Sequence, residues 1–134
     1  MELIKWSDQY KLDIKEIDNQ HYGLVIIINE LFTLMSEGKA KDKLNDIFDH
    51  LTDYTTKHFT TEELVLYKYA YPDLEQHKGE HKKFIEKLEG FKKDFHNKKV
   101  TLSLEVLNFL KDWLLNHIQI SDKKYADHVR KFIE

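Results

Sequence analysis

The chain has 134 residues, of which 41% are hydrophobic and 34% charged, with a formal net charge of -3; this is the composition of one globular domain large enough to bury a core. It contains no Cys, which excludes disulfides, thiolate metal sites, iron–sulfur clusters and cysteine nucleophiles, and its well-mixed charge argues against nucleic acid or a membrane surface as partner. One Pro and four Gly are too few turn formers for a multi-stranded β protein, so long helices are expected.

The first element is an arm over residues 1–17 that carries turn residues and little periodicity. Its start, Met1-Glu2-Leu3-Ile4-Lys5, has no signal-peptide pattern, so a cytoplasmic setting is expected. Apolar residues then recur at the helical period over four stretches, about 18–37, 40–69, 72–96 and 101–118. Asp18 reads as the N-cap of the first helix and Gly38 as its C-cap. The longest apolar run, Leu24 to Ile28, is too short to span a bilayer. Pro72 suits the first turn of the third helix, where its missing N–H is not needed. A loop is expected at Asn97-Lys98-Lys99, and a tail over 121–134 has helical propensity. Short connections between long helices imply antiparallel neighbours, hence an all-α, up-down-up-down four-helix bundle in a single domain.

Eight His is a large number for so short a chain. Five of them, His21, His58, His77, His81 and His117, fall on the inward stripes of four helices. One buried His is usually a satisfied core residue, but five converging in one core are hard to accommodate without a cation. Glu62 follows His58 by one turn, so the two side chains can meet. His77 and His81 are four apart, the spacing that presents two imidazoles to one ion, and no Glu follows His77 directly, which disfavours a zincin-type peptidase. Asp122 follows His117 by five residues. On a straight α-helix five residues turn about 500°, which leaves the two side chains about 140° apart. If both serve one site, the helix must be wound locally toward π or end between them. Five imidazoles and two carboxylates exceed what one ion can use and suit two ions that share the carboxylates. The sulfur-free donor set fits Fe, Mn, Zn or Co. His50, about 80° round the second helix from His58, and His96 and His128 are read as lying off the site.

The motifs Ile17-Asp18-Asn19-Gln20-His21, His58-Phe59-Thr60-Thr61-Glu62-Glu63, His77 with His81, and Trp113-Leu114-Leu115-Asn116-His117-Ile118 through Asp122-Lys123 resemble the hemerythrins, most of all the bacterial single-domain form. The resemblance covers nearly the whole chain, including the arm with Trp6, and all seven ligand positions occur in order. It implies a non-haem di-iron centre. One iron takes His77, His81 and His117, and the other takes His21 and His58. Glu62, Asp122 and an oxo or hydroxo group bridge them. The His21/His58 iron then has an open position, where dioxygen binds end-on as hydroperoxide. The bridge proton moves to the bound peroxide, so the buried site keeps the same formal charge, which avoids a large solvation cost. Leu24 and Leu114 are expected to line the oxygen pocket and slow autoxidation. Leu66 stands where the family usually has Met. Trp113 and Tyr125 match family aromatics near the site.

The function expected from the resemblance is reversible dioxygen binding for carriage, storage, delivery or sensing, without enzymatic activity beyond a weak side reaction. The alternatives are a di-iron redox enzyme that handles peroxide or nitric oxide, or an iron storage or delivery protein. No Glu-x-x-His occurs at the inferred ligand positions, which separates the chain from ferritin-like oxidases. One bundle uses up the chain, so sensing requires a protein partner, and a monomer is expected.

Overall fold

A computed structural model describes residues 3–7, 10–12, 14–97 and 102–133. Lys98, Lys99 and Thr101, which carry the expected loop and fourth-helix start, and the parts of the arm at 1–2, 8–9 and 13, lie outside the described residues. The elements are α1 (Lys15–Ser36), α2 (Ala40–Lys68), α3 (Leu74–His96), α4 (Leu102–Asp112), a π-wound segment (Trp113–Ser121) and α5 (Asp122–Ile133). There is no strand among the described residues, and none of their helices is long and apolar enough to cross a membrane. The architecture is the expected all-α four-helix bundle, with α1 packed along α2, α2 against α3, and α4 against α1 and α3.

Each of the first two turns closes by the same backbone device. Gly38 has φ +70°, and the Gly38 and Lys39 N–H groups donate to the carbonyls of Met35 (3.1 Å) and Leu34 (2.8 Å). This pair of bonds caps α1 as the Gly in the sequence suggests. Ala70 takes the same left-handed role after α2, with φ 53°, and Tyr71 N–H donates to the Leu66 carbonyl at 2.9 Å.

Two helix starts differ from expectation. α1 begins at Lys15, about one turn before Asp18, and has no side-chain cap. The Asp18 carboxylate instead accepts from Leu12 N–H at 2.7 Å, so it ties the arm to the helix. Ile17 is fully buried, and its burial carries the helix back into the arm. α3 begins at Leu74, with Pro72 in the preceding turn. The arm lies on α1: Leu3 and Ile4 N–H donate to Asn29 Oδ1 at 2.9 and 2.8 Å, and the Trp6 ring packs on Tyr10 and Tyr22.

The apolar core divides in two. A large cluster runs through the bundle and includes Leu24, Ile28, Leu51, Phe84, Leu110 and Leu114. A smaller one gathers Leu12, Ile17, Leu66, Tyr125, Ala126 and Val129.

Candidate metal centre

All seven candidate ligands are buried: His21, His58, Glu62, His77, His81, His117 and Asp122. α1 supplies His21, α2 supplies His58 and Glu62, α3 supplies His77 and His81, the π-wound segment supplies His117, and α5 opens with Asp122. The five-residue gap is bridged by the winding itself. Asp122 N–H donates to the His117 carbonyl, an i to i+5 bond that stacks the two residues on one face. The irregularity that the spacing requires is present, and Asp122 faces inward with His117.

Each carboxylate serves two sides. Glu62 Oε1 lies 2.9 Å from His81 Nε2 and 3.9 Å from His117 Nε2, and it also contacts His77 Nε2. Glu62 Oε2 lies 2.9 Å from His58 Nε2 and 3.6 Å from His21 Nε2. Asp122 divides likewise, with Oδ1 at 3.1 Å from His77 Nε2 and 3.0 Å from His117 Nε2, and Oδ2 at 3.0 Å from His21 Nε2. The donor atoms fall into two overlapping groups, Glu62-His77-His81-His117 and His21-His58-Glu62-Asp122.

Two of the rings present Nε2 inward with their outer nitrogens engaged in hydrogen bonds. His58 Nδ1–H donates to Gln20 Oε1 at 2.6 Å, and His81 Nδ1–H donates to Glu63 Oε2 at 2.8 Å. Each bond fixes the tautomer that leaves Nε2 as a lone-pair donor. Aromatic rings hold the imidazoles flat. Phe59 stacks on His81 with centroids 3.8 Å apart and planes at 1°, and Trp113 stacks on His117 at 3.9 Å and 13°. Tyr125, fully buried, donates its hydroxyl to Glu62 Oε2 at 3.0 Å.

Without a metal, protons fill this site. Burial disfavours charge on the imidazoles, but the Asp122 and Glu62 carboxylates outweigh it and hold His21 and His77 up at about 9 and His117 at about 11. His58 is the exception, where burial wins and its pKa is lowered. Burial opposes ionisation of both carboxylates, yet the facing imidazoles keep Glu62 and Asp122 below the usual carboxylate range.

Protons do not complete the site. Among the described residues, His117 Nε2 and both Asp122 oxygens are buried with no hydrogen-bond partner, although oppositely charged atoms stand about 3 Å away. The donor atoms of each group all lie within 4.8 Å of one another, close enough to share an ion. Buried polar atoms of this kind call for an explanation, and a bound ion is one. Nitrogen and oxygen donors without sulfur suit iron and its neighbours, so the residues fit the implied metal pair.

Of the expected pocket residues, Leu24 and Leu114 are fully buried in the large cluster, and Leu66 lies in the small one with Tyr125. The three remaining His stand off the site as expected. His50 is half exposed beside Glu30, and His128 Nε2–H donates to the Tyr69 carbonyl at 2.7 Å. Sequence reasoning missed Gln20, Phe59, Glu63 and Glu80 as site residues. Gln20 and Glu63 are chain neighbours of the ligands His21 and Glu62, which was the available signal.

The family model described as Hemerythrin HHE cation binding domain matches residues 12–129. A bacteriohemerythrin from Clostridium acetobutylicum is 35% identical over 91% of this chain and 98% of its own length. One from Stenotrophomonas maltophilia is 31% identical, covering 97% of this chain and 84% of its own. Myohemerythrin-1 from Phascolopsis gouldii is 31% identical over 90% of the chain and 89% of its own. Among solved structures, a wild-type hemerythrin crystal structure superposes with a TM-score of 0.84 at 29% identity, over 95% of this chain and 98% of that one. Bundle, buried His-carboxylate core and near-full-length similarity agree, and the chain belongs to the hemerythrin family.

Proposed function

We propose that this chain binds dioxygen reversibly at a pair of iron ions. His77, His81 and His117 would hold one ion and His21 and His58 the other, with Glu62, Asp122 and an oxo or hydroxo group shared between them. When bound, two ferrous ions supply the two electrons that reversible dioxygen binding requires. The observation that carries this reading is the division of each buried carboxylate: one oxygen of Glu62 and of Asp122 faces each side of the site.

The chain's residues make the two sides unequal. Three imidazoles stand on one and two on the other, so the protein leaves coordination incomplete at the His21/His58 end, where dioxygen is admitted. Leu24 and Leu114 are fully buried and exclude water and protons, which slows irreversible oxidation. Leu66 follows Glu62 by one turn and shares a cluster with Tyr125, so it shields the carboxylate from the other flank. Tyr125 holds Glu62 in place through its hydroxyl. A donor set rich in imidazole supports a carrier or store rather than an enzyme.

The test is an absorption spectrum of the fully reduced, iron-loaded protein, cycled between argon and oxygen, with the iron counted. A charge-transfer band that comes and goes with oxygen over several cycles, at about two irons per chain, is the expected result. A band that forms once and decays to a stable oxidised spectrum would replace this reading with that of a redox enzyme.

A further inference from the structure

The outer edges of the five imidazoles are dressed differently on the two sides. On the two-His side, His58 meets the neutral amide of Gln20, and His21 Nδ1 is buried with no hydrogen-bond partner among the described residues. On the three-His side, His81 donates to the Glu63 carboxylate. A second carboxylate, Glu80, places Oε2 3.2 Å from His117 Nδ1 and 3.7 Å from His77 Nδ1, close enough to pair by charge although His117 Nδ1 makes no hydrogen bond among the described residues. Its other oxygen accepts from Ser121 Oγ at 3.0 Å. One side chain on α3 thus touches an imidazole of its own helix, an imidazole of the π-wound segment, and the hydroxyl just before Asp122. It reaches solvent through a narrow polar crevice shared with Tyr71, Gln76 and Lys124.

A carboxylate behind an imidazole makes the inner nitrogen a stronger donor than an amide does, and it fixes the ring's orientation. Glu63 stands behind His81, and Glu80 behind His117 and His77, so between them they serve the three rings of one side. We propose that Glu80 is a positioning residue which, together with Glu63, makes the three-His position the tighter of the two metal positions through charge as well as through its additional imidazole. This rests on the two-metal reading above.

The test titrates the metal-free full-length chain with cobalt(II), following heat and the cobalt absorption bands together. The wild-type chain should take up two ions in two steps. Glu80→Gln, which keeps the size and removes the charge, should weaken the tighter step about 10- to 100-fold and shift the cobalt bands of that step alone. Glu63→Gln should do the same through His81. Gln20→Glu should tighten the weaker step, and Glu80→Asp should restore part of the loss. A tighter step indifferent to Glu80→Gln overturns the inference alone. So does an equal weakening of both steps with a lowered melting temperature of the metal-free chain, which would make Glu80 a structural contact. A wild-type chain that takes up fewer than two ions overturns the di-iron reading and this inference with it.

Discussion

His117 and Leu114 are neighbours on one turn that do opposite work, and substitution should separate them. Replacing His117 by Ala removes one of three imidazoles from its side and leaves Asp122 facing a gap. The expected result is one iron per chain instead of two after reconstitution, read by metal analysis. Replacing Leu114 by Ala should leave both irons in place. A fully buried Leu cut to Ala costs about 2–5 kcal/mol, so the melting temperature falls, and the reduced protein should oxidise irreversibly faster in air, read from the decay of its oxygenated spectrum. Six of the seven candidate ligands were legible in the sequence because they stand on inward stripes at helical spacing, whereas Asp122 breaks that spacing and was singled out by the resemblance. Glu80 was not. It sits one residue before His81 on a charged stretch, and its value depends on His117 being brought beside it from another element, which no local pattern reports.

The π-wound segment from Trp113 to Ser121 is the element on which the site turns. It was legible as an irregularity, since a regular helix cannot point residues five apart at one place, though the spacing does not say how long the irregular stretch is. Nine residues are wound this way, and they carry His117 with its stacked Trp113. Inserting one Ala after Gln119 should put His117 and Asp122 six residues apart, one more than the π turn stacks on a face. α5 would then be rotated by about 100° against the bundle, taking Tyr125 away from Glu62. The insertion variant should keep its helical circular dichroism and bind fewer than two irons. The start of α1 was misread for a different reason. Asp18 has the chemistry of a cap, but the buried Ile17 extends the helix, and the carboxylate is used instead on Leu12.

At the scale of the whole molecule, the metal-free protein should carry the charge of its core into its pH dependence. His21 and His77 are raised to about 9 in the fold from an ordinary 6.5. Their protonated forms therefore favour the folded state. That stability is complete below pH 6.5 and is lost as pH rises through about 9, with His117 continuing the trend. Glu62 and Asp122 act in the reverse sense: their contribution is present above the ordinary carboxylate range and fades as pH falls through their lowered values. His58, whose pKa is lowered, favours the neutral form and offsets part of the gain below pH 6.5. The metal-free chain should thus melt at progressively lower temperature between pH 6.5 and 9, measured calorimetrically. Metal binding must displace the same protons, so metal affinity should rise over that interval and protons should be released on loading. The metal-loaded chain should melt above the metal-free one throughout. A flat profile in the metal-free protein would mean that the imidazoles are already neutral there.

The two ends of the chain are clasped across the small cluster. Arg130 donates to the Leu12 carbonyl at 2.7 Å, and Leu12 N–H is held in turn by Asp18. Tyr125, the largest fully buried side chain, lies between these contacts and the shared Glu62. An ion shared by Asp122 and Glu62, as proposed, should leave by unlatching, when α5 lifts and takes Asp122 with it. The residence time of the metal should then follow how often this clasp opens, and a chelator added in large excess should strip the protein at a rate independent of its own concentration.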